Sequence, residues 1–262
     1  MSYKPYIIST PDFDVTSGGI RVMWALYGYL LTRGQIVYIN RYPSGEKIAI
    51  YPEIAHGNSV GASTVVRYLL NTPGTMGSFI NGVFQAGPTT FDPNDKLYYF
   101  SRLFGKAQDE NHYMFLPIIN LHIFEDQKKI RNKTCYLVGK GQNKQLHPKD
   151  SIELTREFAT DQQALADLLN ECEVMYCYDK LTAMMEVARL CGTRVIYLGD
   201  YTREELKLYE PGIYGIYYGL DEWENREKKF FSDIFREHYI DMIKLFETRL
   251  DQFIEDTQYE NN

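Results

Sequence analysis

The sequence predicts an α/β fold in two halves, each built on a parallel sheet. The chain opens with a strand, a loop, a helix and a second strand, and the same alternation returns in its second half. Its 262 residues exceed one average domain, and an apolar content of 44% is enough to bury two cores. A long amphipathic helix closes the sequence.

The first half, residues 1–122, alternates short apolar runs with turns. Strands are predicted at residues 6–9, 36–39, 47–51, 77–80, 97–100 and 116–119. Helices are predicted at residues 20–32 and 62–70, the first of them with apolar residues at helical spacing and Gly34 behind it. This order is typical of the start of a doubly wound domain.

The second half, residues 123–225, repeats the pattern. Strands are predicted at residues 134–138, 174–178 and 194–198, a short strand or turn at 150–154, and a strand or loop at 212–219. Thr160 and Gln163 form a capping-box pattern for a helix to about residue 170, and another helix runs from Asp179 to Gly192. The final helix pattern extends from about residue 220 to 256, and residues 226–262 form a third segment.

Composition excludes several classes of protein. A net charge of −7 argues against non-specific nucleic-acid binding, and no apolar run is long enough to cross a bilayer. The amino terminus lacks a signal-peptide h-region, and the four cysteines contain no CxxC pair. We therefore expect reduced core cysteines and a cytoplasmic location, with work at the inner membrane face through a partner left open.

A glycine pair lies between the first predicted strand and helix. Ser17, Gly18 and Gly19 would let the backbone approach an anion, and the free amides of a helix start favour phosphate. The pattern is not GxGxxG, and a plain tight turn explains it as well. Asp12 and Asp14 flank this loop; either could bind an acceptor hydroxyl or act as a base, although turn-forming aspartates are commoner.

A lysine between two glycines follows the first strand of the second half. Lys140, between Gly139 and Gly141, is placed where a mobile positive charge would neutralise a diphosphate. A solvated hairpin lysine is the alternative interpretation. Three further basic residues strengthen the expected anion site: Arg131, Lys133 and Lys144.

The segment after the next strand is expected at the same edge of the sheet. Ligands of open parallel sheets bind at the carboxyl ends of the strands, which places Tyr178, Asp179 and Thr182 at a crevice. Asp179 could equally cap the following helix, and Thr182 could be an ordinary first-turn residue. Glu186 interrupts an otherwise apolar helix face, and we weigh hydrogen bonding to a ribose diol above a satisfied core acid.

A histidine follows the third predicted strand of the first half. His56, with Gly57 and Asn58 behind it, could contact the ligand from the opposite wall. A single histidine is more often structural.

Taken together, these residues resemble a known family. The second half is similar to the donor-binding domain of GT-B glycosyltransferases of the retaining, metal-independent type, through Glu186, Cys191-Gly192-Thr193 and Val195. The words YPEIAHGN, VVRYLLNTPG, YLVGKG, CYDKLTAMMEVARLCGT and GIYYGLDE resemble, in that order, a less characterised branch of bacterial and phage-type sugar transferases. The resemblance spans most of the chain.

The resemblance implies a fold and a set of roles. The fold would be two small Rossmann-like domains facing across a cleft, with the final helix packing back on the first. The donor would be a nucleotide-diphosphate sugar, without cofactor or metal. Candidate catalytic residues are Lys140, Asp179 and His56. The residues expected to hold the donor are Ser17, Gly18, Gly19, Gly139, Gly141, Tyr178, Thr182 and Glu186.

One departure keeps alternatives open. Many members of the family carry two glutamates at a fixed spacing, whereas the earlier acid here is Asp179, shifted by one place. A glycosyltransferase using a UDP- or GDP-sugar and a glycan acceptor is the first prediction. A non-catalytic nucleotide- or glycan-binding module, or a subunit of a larger assembly, is the second. An isomerase or hydrolase of nucleotide sugars is the third, and 22 tyrosines would suit sugar stacking or a homodimer interface.

Overall fold

The computed structural model of the protein describes residues 3–80, 82–105, 110–142, 144–225 and 230–259. The chain divides into two compact units. Unit 1 comprises Met1–Ile118 and Met242–Asn262, and unit 2 comprises Ile119–Asp241. Each unit is a mixed α/β structure around its own five-stranded parallel sheet. The C-terminal helix, Ser232–Gln258, begins in the sequence of unit 2 and ends in that of unit 1.

The described residues of unit 1 form a parallel sheet, a hairpin, an α-helix and a short 3-10 helix at Glu110–His112. Its elements are β1 (Tyr6–Ile8), α1 (Gly18–Thr32), β2 (Val37–Ile39), β3 (Ile48–Pro52), β4 (Thr64–Leu69), β5 (Gly77–Ile80), β6 (Val83–Ala86) and β7 (Lys96–Tyr99). The sheet has the order β2-β1-β3-β4-β7, and β5 pairs with β6 in an antiparallel hairpin. The register places Tyr6 opposite Val37 and Ile48.

The two faces of this sheet are covered differently. On one face, apolar residues of α1 pack with the sheet and with the last part of the C-terminal helix, which contributes Phe246, Leu250 and Phe253. The other face carries a smaller cluster that includes Ile7 and Tyr51 and is closed by residues of the loop between β3 and β4. Among the described residues, a helical layer therefore covers one face of this sheet, and loop residues cover the other.

Two predictions in unit 1 are wrong. Residues 62–70, predicted as a helix, form β4, all of whose residues are buried. A strand in the middle of a parallel sheet is apolar on both faces, so its sequence does not alternate and resembles a buried helix. Residues 116–119, predicted as a strand, are mostly buried but form no regular secondary structure; the nearest pairing is a bridge between Tyr99 and Tyr113.

Unit 2 has a fuller set of helices. Its elements are β8 (Lys133–Leu137), β9 (Ile152–Glu153), α2 (Gln162–Glu171), β10 (Cys172–Cys177), α3 (Met184–Leu190), β11 (Arg194–Tyr197), α4 (Arg203–Lys207), β12 (Ile216–Tyr218) and α5 (Gly219–Glu224). The strand order is β12-β11-β10-β8-β9, with every pair parallel. On one face Leu220 and Trp223 of α5 pack against a cluster that includes Tyr176 and Ile196.

The helix boundaries differ from the prediction in three places. Asp161 rather than Thr160 caps α2, because its side chain accepts a hydrogen bond from Ala164 N. The helix expected directly after Asp179 begins at Met184, although it ends as predicted before Gly192, whose φ is +80°. The predicted final helix is two helices, α5 and the C-terminal helix, and residues 226–229 lie outside the described residues.

Two expectations from composition can be compared with the structure. The four cysteines are free and buried, in agreement with the prediction of core thiols. Of the helices that the structure describes, none combines the length and apolar character needed to span a bilayer.

Candidate functional sites at the carboxyl edges of the two sheets

In each sheet, the strands that follow the first one in sequence are placed first on one side of it and then on the other. From β1 the chain adds β2 on one side and then β3 on the other, and from β8 it adds β9 and then β10 in the same way. Ligands of open parallel sheets bind outside the carboxyl ends of the strands at such a switch point. Residues 17–19 and 56 follow β1 and β3, and residues 139–141 and 178–182 follow β8 and β10. We call these two regions the unit 1 edge and the unit 2 edge.

At the unit 2 edge, the loops after β8 and β10 are in direct contact. The backbone N–H of Lys140 donates to Oδ2 of Asp179 at 3.1 Å. A Cβ atom at Gly139, where φ is +54°, would collide with the Asp179 carboxylate, and one at Gly141 would collide with the carbonyl oxygen of Tyr178. Both glycines are therefore required by the close approach of the two loops.

Asp179 fixes the geometry of this edge. Besides the bond from Lys140, its Oδ1 accepts a hydrogen bond from Leu181 N at 3.2 Å. The residue is 6% exposed, and burial raises the pKa of its carboxyl group, while the backbone N–H and the charge of Lys140 act in the opposite direction. Asp179 thus binds loop amides and does not cap α3; Met184 N donates instead to Oγ1 of Thr182 at 3.2 Å.

Tyr178 is directed into the core of unit 2. It is 1% exposed and belongs to the buried cluster on the α5 face of the sheet. Its hydroxyl accepts a hydrogen bond from Leu146 N at 2.9 Å and lies 2.8 Å from Nδ1 of His147, whose ring stacks on Tyr136 with centroids 3.8 Å apart. The sequence analysis missed His147 because nothing in the linear pattern marks it as a partner of Tyr178.

A third loop, after β11, joins the unit 2 edge. Nζ of Lys144 donates to the carbonyl of Leu198 at 2.8 Å, which links the loops after β8 and β11. The hydroxyl of Tyr197 donates to the carbonyl of Lys180 at 2.9 Å and accepts from Tyr201 N at 3.1 Å. Tyr197 was not among the sequence candidates, and its position at the end of a strand is the signal that could have identified it.

Glu186 lies within a buried polar group on α3. It is 3% exposed, and its Oε1 accepts a hydrogen bond from the hydroxyl of Tyr209 at 3.1 Å. Burial lowers the pKa of the nearby Arg189 to about 10, although the charge of Glu186 acts in the opposite direction. Burial, followed by the charge of Glu186, raises the pKa of Tyr209 well above its ordinary value. Glu186 is therefore already engaged by side chains of its own unit.

The unit 1 edge contains the start of α1. Ser17 occupies the N-cap position, but its side chain makes no capping hydrogen bond. A Cβ atom at Gly18 would meet nothing within 4 Å, and one at Gly19 would make only an ordinary contact of 3.5 Å with Leu70. Neither position requires glycine for packing, in contrast to Gly139 and Gly141. A small side chain at either position would therefore meet no steric obstacle.

The loop before α1 contains an acidic pair with Asp-x-Asp spacing, Asp12 and Asp14. Carboxylates at this spacing on a loop can bind a divalent cation, so the spacing by itself does not favour a metal-free site. Oδ1 of Asp14 accepts hydrogen bonds of 2.8 Å from both the backbone N–H and the hydroxyl of Thr16, which is the turn arrangement that the sequence favoured. Within the described ranges, no group of three or more His, Cys, Asp or Glu side chains is arranged to hold a metal ion.

His56 and Glu53 lie on the loop that follows β3. His56 is exposed, and its Nε2 is 3.3 Å from the carbonyl oxygen of Ala86. Glu53 is buried, and its Oε2 accepts a hydrogen bond from Leu70 N at 3.0 Å. The sequence analysis missed Glu53, although a carboxylate directly after a buried strand is the signal that would have revealed it.

Two basic residues expected near Lys140 are elsewhere. Arg131 and Lys133 precede or begin β8, whereas Lys140 follows it, and five residues of strand extend over roughly 16 Å. Arg131 donates hydrogen bonds to the carbonyls of Leu169 and Cys191 and forms an ion pair with Asp126 at 2.7 Å. It therefore binds carbonyl groups at the C-terminal ends of α2 and α3, at the amino edge of the sheet. The prediction that Arg131 and Lys133 add to the anion site is therefore wrong.

Comparisons with known proteins identify no family. No protein-family model and no curated protein matches the chain. A functionally uncharacterised protein of Klebsiella pneumoniae subsp. pneumoniae aligns with a TM-score of 0.42 and 10% identity, over 78% of this chain and 86% of its own. The spinosyn forosaminyltransferase SpnP aligns with a TM-score of 0.32 and 11% identity, over 98% of this chain and 96% of its own. The lac repressor dimer bound to operator and anti-inducer aligns with a TM-score of 0.28 and 14% identity, over 98% of this chain and 76% of the repressor chain.

Likeness at this level carries no argument about family or activity. The fold is Rossmann-like in having two parallel α/β sheets and a C-terminal helix. The GT-B arrangement itself stays a prediction.

Proposed function

We propose that this protein is a glycosyltransferase that moves a sugar from a nucleotide-diphosphate donor to a hydroxyl acceptor. Unit 2 binds the donor nucleotide at its edge, and unit 1 contributes to acceptor binding. The observation that carries the proposal is the contact of the Gly139–Gly141 loop with Tyr178 and Asp179 at the switch point of the unit 2 sheet.

Three features support a phosphorylated ligand at this place. Lys140 is exposed, so a diphosphate could approach this residue from solvent at modest desolvation cost. The switch point of a parallel sheet is the usual ligand position in this class of fold. Lys144 brings a second positive charge to the same edge.

The proposed reaction requires stabilisation of a leaving group. The acceptor hydroxyl oxygen forms a bond to the anomeric carbon, the bond from that carbon to the diphosphate oxygen breaks, and the diphosphate leaves with the electron pair and takes up the hydroxyl proton. Lys140 offsets the negative charge that grows on the leaving oxygen. Asp179 holds the Lys140 backbone in place, and Glu186 accepts hydrogen bonds from the ribose. His56 and the amides of Gly18 and Gly19 remain proposed ligand contacts.

Nucleotide binding tests the proposal directly. UDP, GDP, ADP, CMP and dTDP would be compared by thermal shift and titration calorimetry. We expect one diphosphate to stabilise the protein, because a ligand that binds only the folded state raises the unfolding temperature. Lys140→Ala should weaken its binding about tenfold, the size of one charge-assisted contact. Lys129→Ala is the matched control, because Lys129 is an exposed lysine before β8, at the opposite edge of the sheet.

The transfer step needs its own measurement. The nucleotide sugar that contains the bound base would be incubated with glycan acceptors, and the release of nucleoside diphosphate would be followed. Acceptor-dependent release that is reduced in Lys140→Ala supports the proposal. Absence of binding by all five nucleotides would overturn it.

A binding module without turnover is the second candidate. The observation that favours it is that both acids of the resemblance are engaged within the chain: Asp179 by two backbone amides and Glu186 by Tyr209. This candidate predicts that a nucleotide diphosphate binds but that no sugar is transferred.

A further inference from the structure

A cavity of about 320 Å³ lies in unit 1, beside the loop that follows β3. Its lining comes from the loop after β3, from β4 and from residues 88–95 before β7, and includes neither His56 nor residues 17–19. It therefore lies on the face of the sheet that is covered by a loop and not by a helix. This volume is at the small end of the range for ligand pockets and can hold one sugar ring.

A buried ion pair lines this cavity. Nε of Arg67 donates to Oδ2 of Asp95 at 2.6 Å, and the two side chains are 3% and 7% exposed. Arg67 also donates to the carbonyls of Ala55 and Gly57 at 3.0 and 2.6 Å. A guanidinium has five N–H groups, so two remain without an acceptor among the residues that the structure describes.

Asp95 has a matching spare acceptor. Its Oδ2 takes the hydrogen bond from Arg67, and no described residue donates to its Oδ1. Arg67 and Asp95 both belong to the lining of the cavity. The pair is buried and nearly neutral, and among the described residues two guanidinium N–H groups and one carboxylate oxygen have no protein partner.

The remaining wall combines an aromatic ring with small polar side chains. The ring of Phe91 lies 5.3 Å from Cζ of Arg67. Ser63, Thr90 and Asn94 add two hydroxyls and an amide to the lining. Hydroxyl groups can donate and accept at once, so they match such a mixed wall.

We propose that this cavity is a carbohydrate-binding site that takes one neutral sugar ring. Hydroxyls of the ring accept from Arg67 and donate to Asp95, and the C–H face of the ring packs on Phe91. The inference goes beyond the proposed function and does not depend on it, because a binding module without turnover would use the same cavity.

The net charge of the cavity lining favours a neutral sugar over an anion. Arg67 is neutralised by Asp95, and Asp92 adds a further negative charge to the lining. A phosphate or carboxylate would therefore meet an excess of negative charge, whereas a neutral polyol would not. A nucleobase could stack on Phe91, but it offers fewer hydroxyl groups to this polar wall than a sugar does.

Saturation-transfer NMR with the full chain tests this proposal. The probes are glucose, galactose, mannose, rhamnose and N-acetylglucosamine. Adenosine and citrate are included to test whether the cavity binds a nucleobase or an anion instead. Thr90→Trp is designed to fill the cavity from an exposed position, and Thr248→Trp makes the same change at an exposed position of the C-terminal helix. Asp95→Asn keeps an acceptor for Arg67 but weakens the acceptor offered to the ligand.

We expect at least one sugar to give a signal that disappears in Thr90→Trp and persists in Thr248→Trp. Asp95→Asn should weaken the binding of that sugar about tenfold. The proposal is wrong if no sugar binds, if Thr90→Trp binds as the wild type does, or if only adenosine or citrate binds. Since nucleotide binding at the unit 2 edge is measured separately, failure here leaves the proposed function standing.

Discussion

The backbone N–H of Lys140 donates a hydrogen bond of 3.1 Å to Oδ2 of Asp179, and this bond joins the loops that follow β8 and β10. The contact is possible because residues 139 and 141 carry no side chain. The hydrogen bond comes from the lysine backbone, so it does not require the lysine side chain. The stability of this edge and the proposed anion binding can therefore be tested with different variants.

Replacing Gly141 by alanine is expected to destabilise the protein. The new Cβ would overlap the carbonyl oxygen of Tyr178, so backbone must shift, at a cost of about 1–3 kcal/mol. Urea unfolding at neutral pH measures the change. Gly18→Ala is the matched control, because a Cβ there meets nothing within 4 Å and alanine favours the helix. An equal loss in both variants would contradict this explanation.

A valine at Gly18 tests whether the open start of α1 serves a ligand. Because packing leaves room at this position, we expect the free energy of unfolding to change by less than about 0.5 kcal/mol. If backbone amides there contact a phosphate, the branched side chain should reduce sugar transfer about tenfold or more. Steady-state transfer rates provide the measurement. Unchanged transfer would identify the glycine pair as a plain turn.

Glu186→Gln and Tyr209→Phe separate the two interpretations of Glu186. If Glu186 holds a ribose, Glu186→Gln weakens nucleotide binding about tenfold, because a charged acceptor becomes neutral. Tyr209→Phe removes the hydroxyl that donates to Glu186 and should cost about 1–2 kcal/mol of stability without changing nucleotide affinity. Calorimetric titration and urea unfolding of both variants are required. Loss of stability in both, with nucleotide affinity intact, would make Glu186 a core acid.

Asp126 is expected to make the stability of unit 2 depend on pH. Burial alone would raise its pKa, but hydrogen bonds from Ser232 and from the Lys128 backbone, together with the charge of Arg131, lower the pKa below its ordinary value. A carboxyl whose pKa is lowered by folding stabilises the fold above its unfolded pKa. That contribution is lost as the pH falls through the folded value.

Asp126→Asn should therefore cost about 2–3 kcal/mol at neutral pH, because Arg131 loses its charged partner. The difference from the wild type should shrink when the urea unfolding is repeated near about pH 3. Glu171→Gln, which breaks an exposed pair with Lys133, serves as a control and should have no measurable effect. A pH-independent difference would show that the charge of Asp126 is not the cause.

Arg67→Lys is expected to destabilise unit 1. The guanidinium bonds Asp95 and the carbonyls of Ala55 and Gly57 in three directions, which one ammonium group cannot reproduce in the same place. A loss of about 2–4 kcal/mol in urea unfolding follows from a partly unpaired buried charge. Arg102→Lys changes an exposed arginine paired with Glu110 and should be nearly neutral. Equal effects at both positions would contradict this account.

Most strands could be predicted from the sequence because each is a short apolar run between turn residues. Residues 6–9 and 134–138 are examples, and the structure has Tyr6–Ile8 and Lys133–Leu137 there. The prediction for the fully buried β4 was wrong because a strand covered on both faces lacks the alternation of polar and apolar residues that identifies a strand. The capping residue of α2 was displaced by one position, since Thr160 and Asp161 are both acceptable N-caps.

For the candidate sites, the sequence identified loops better than it identified contacts. The position after a strand was enough to place residues 17–19, 56, 139–141 and 178–182 at carboxyl edges. It could not show that Tyr178 is directed into the core or that Arg131 binds helix carbonyls at the opposite edge. Those outcomes depend on side-chain partners distant in sequence.

The sequence by itself determined the alternation of strands and helices, the apolar residues that become core, and the glycines at strand ends, because these depend on local periodicity and backbone freedom. Only the tertiary structure decided which strands pair. It thereby decided that β8 and β10 are neighbours and that Asp179 reaches the amide of Lys140, 39 residues away. The cavity around Arg67 and Asp95 likewise arises from segments 28 residues apart. Contacts of this kind follow from the order of strands in a sheet, and no local pattern in a single chain specifies that order.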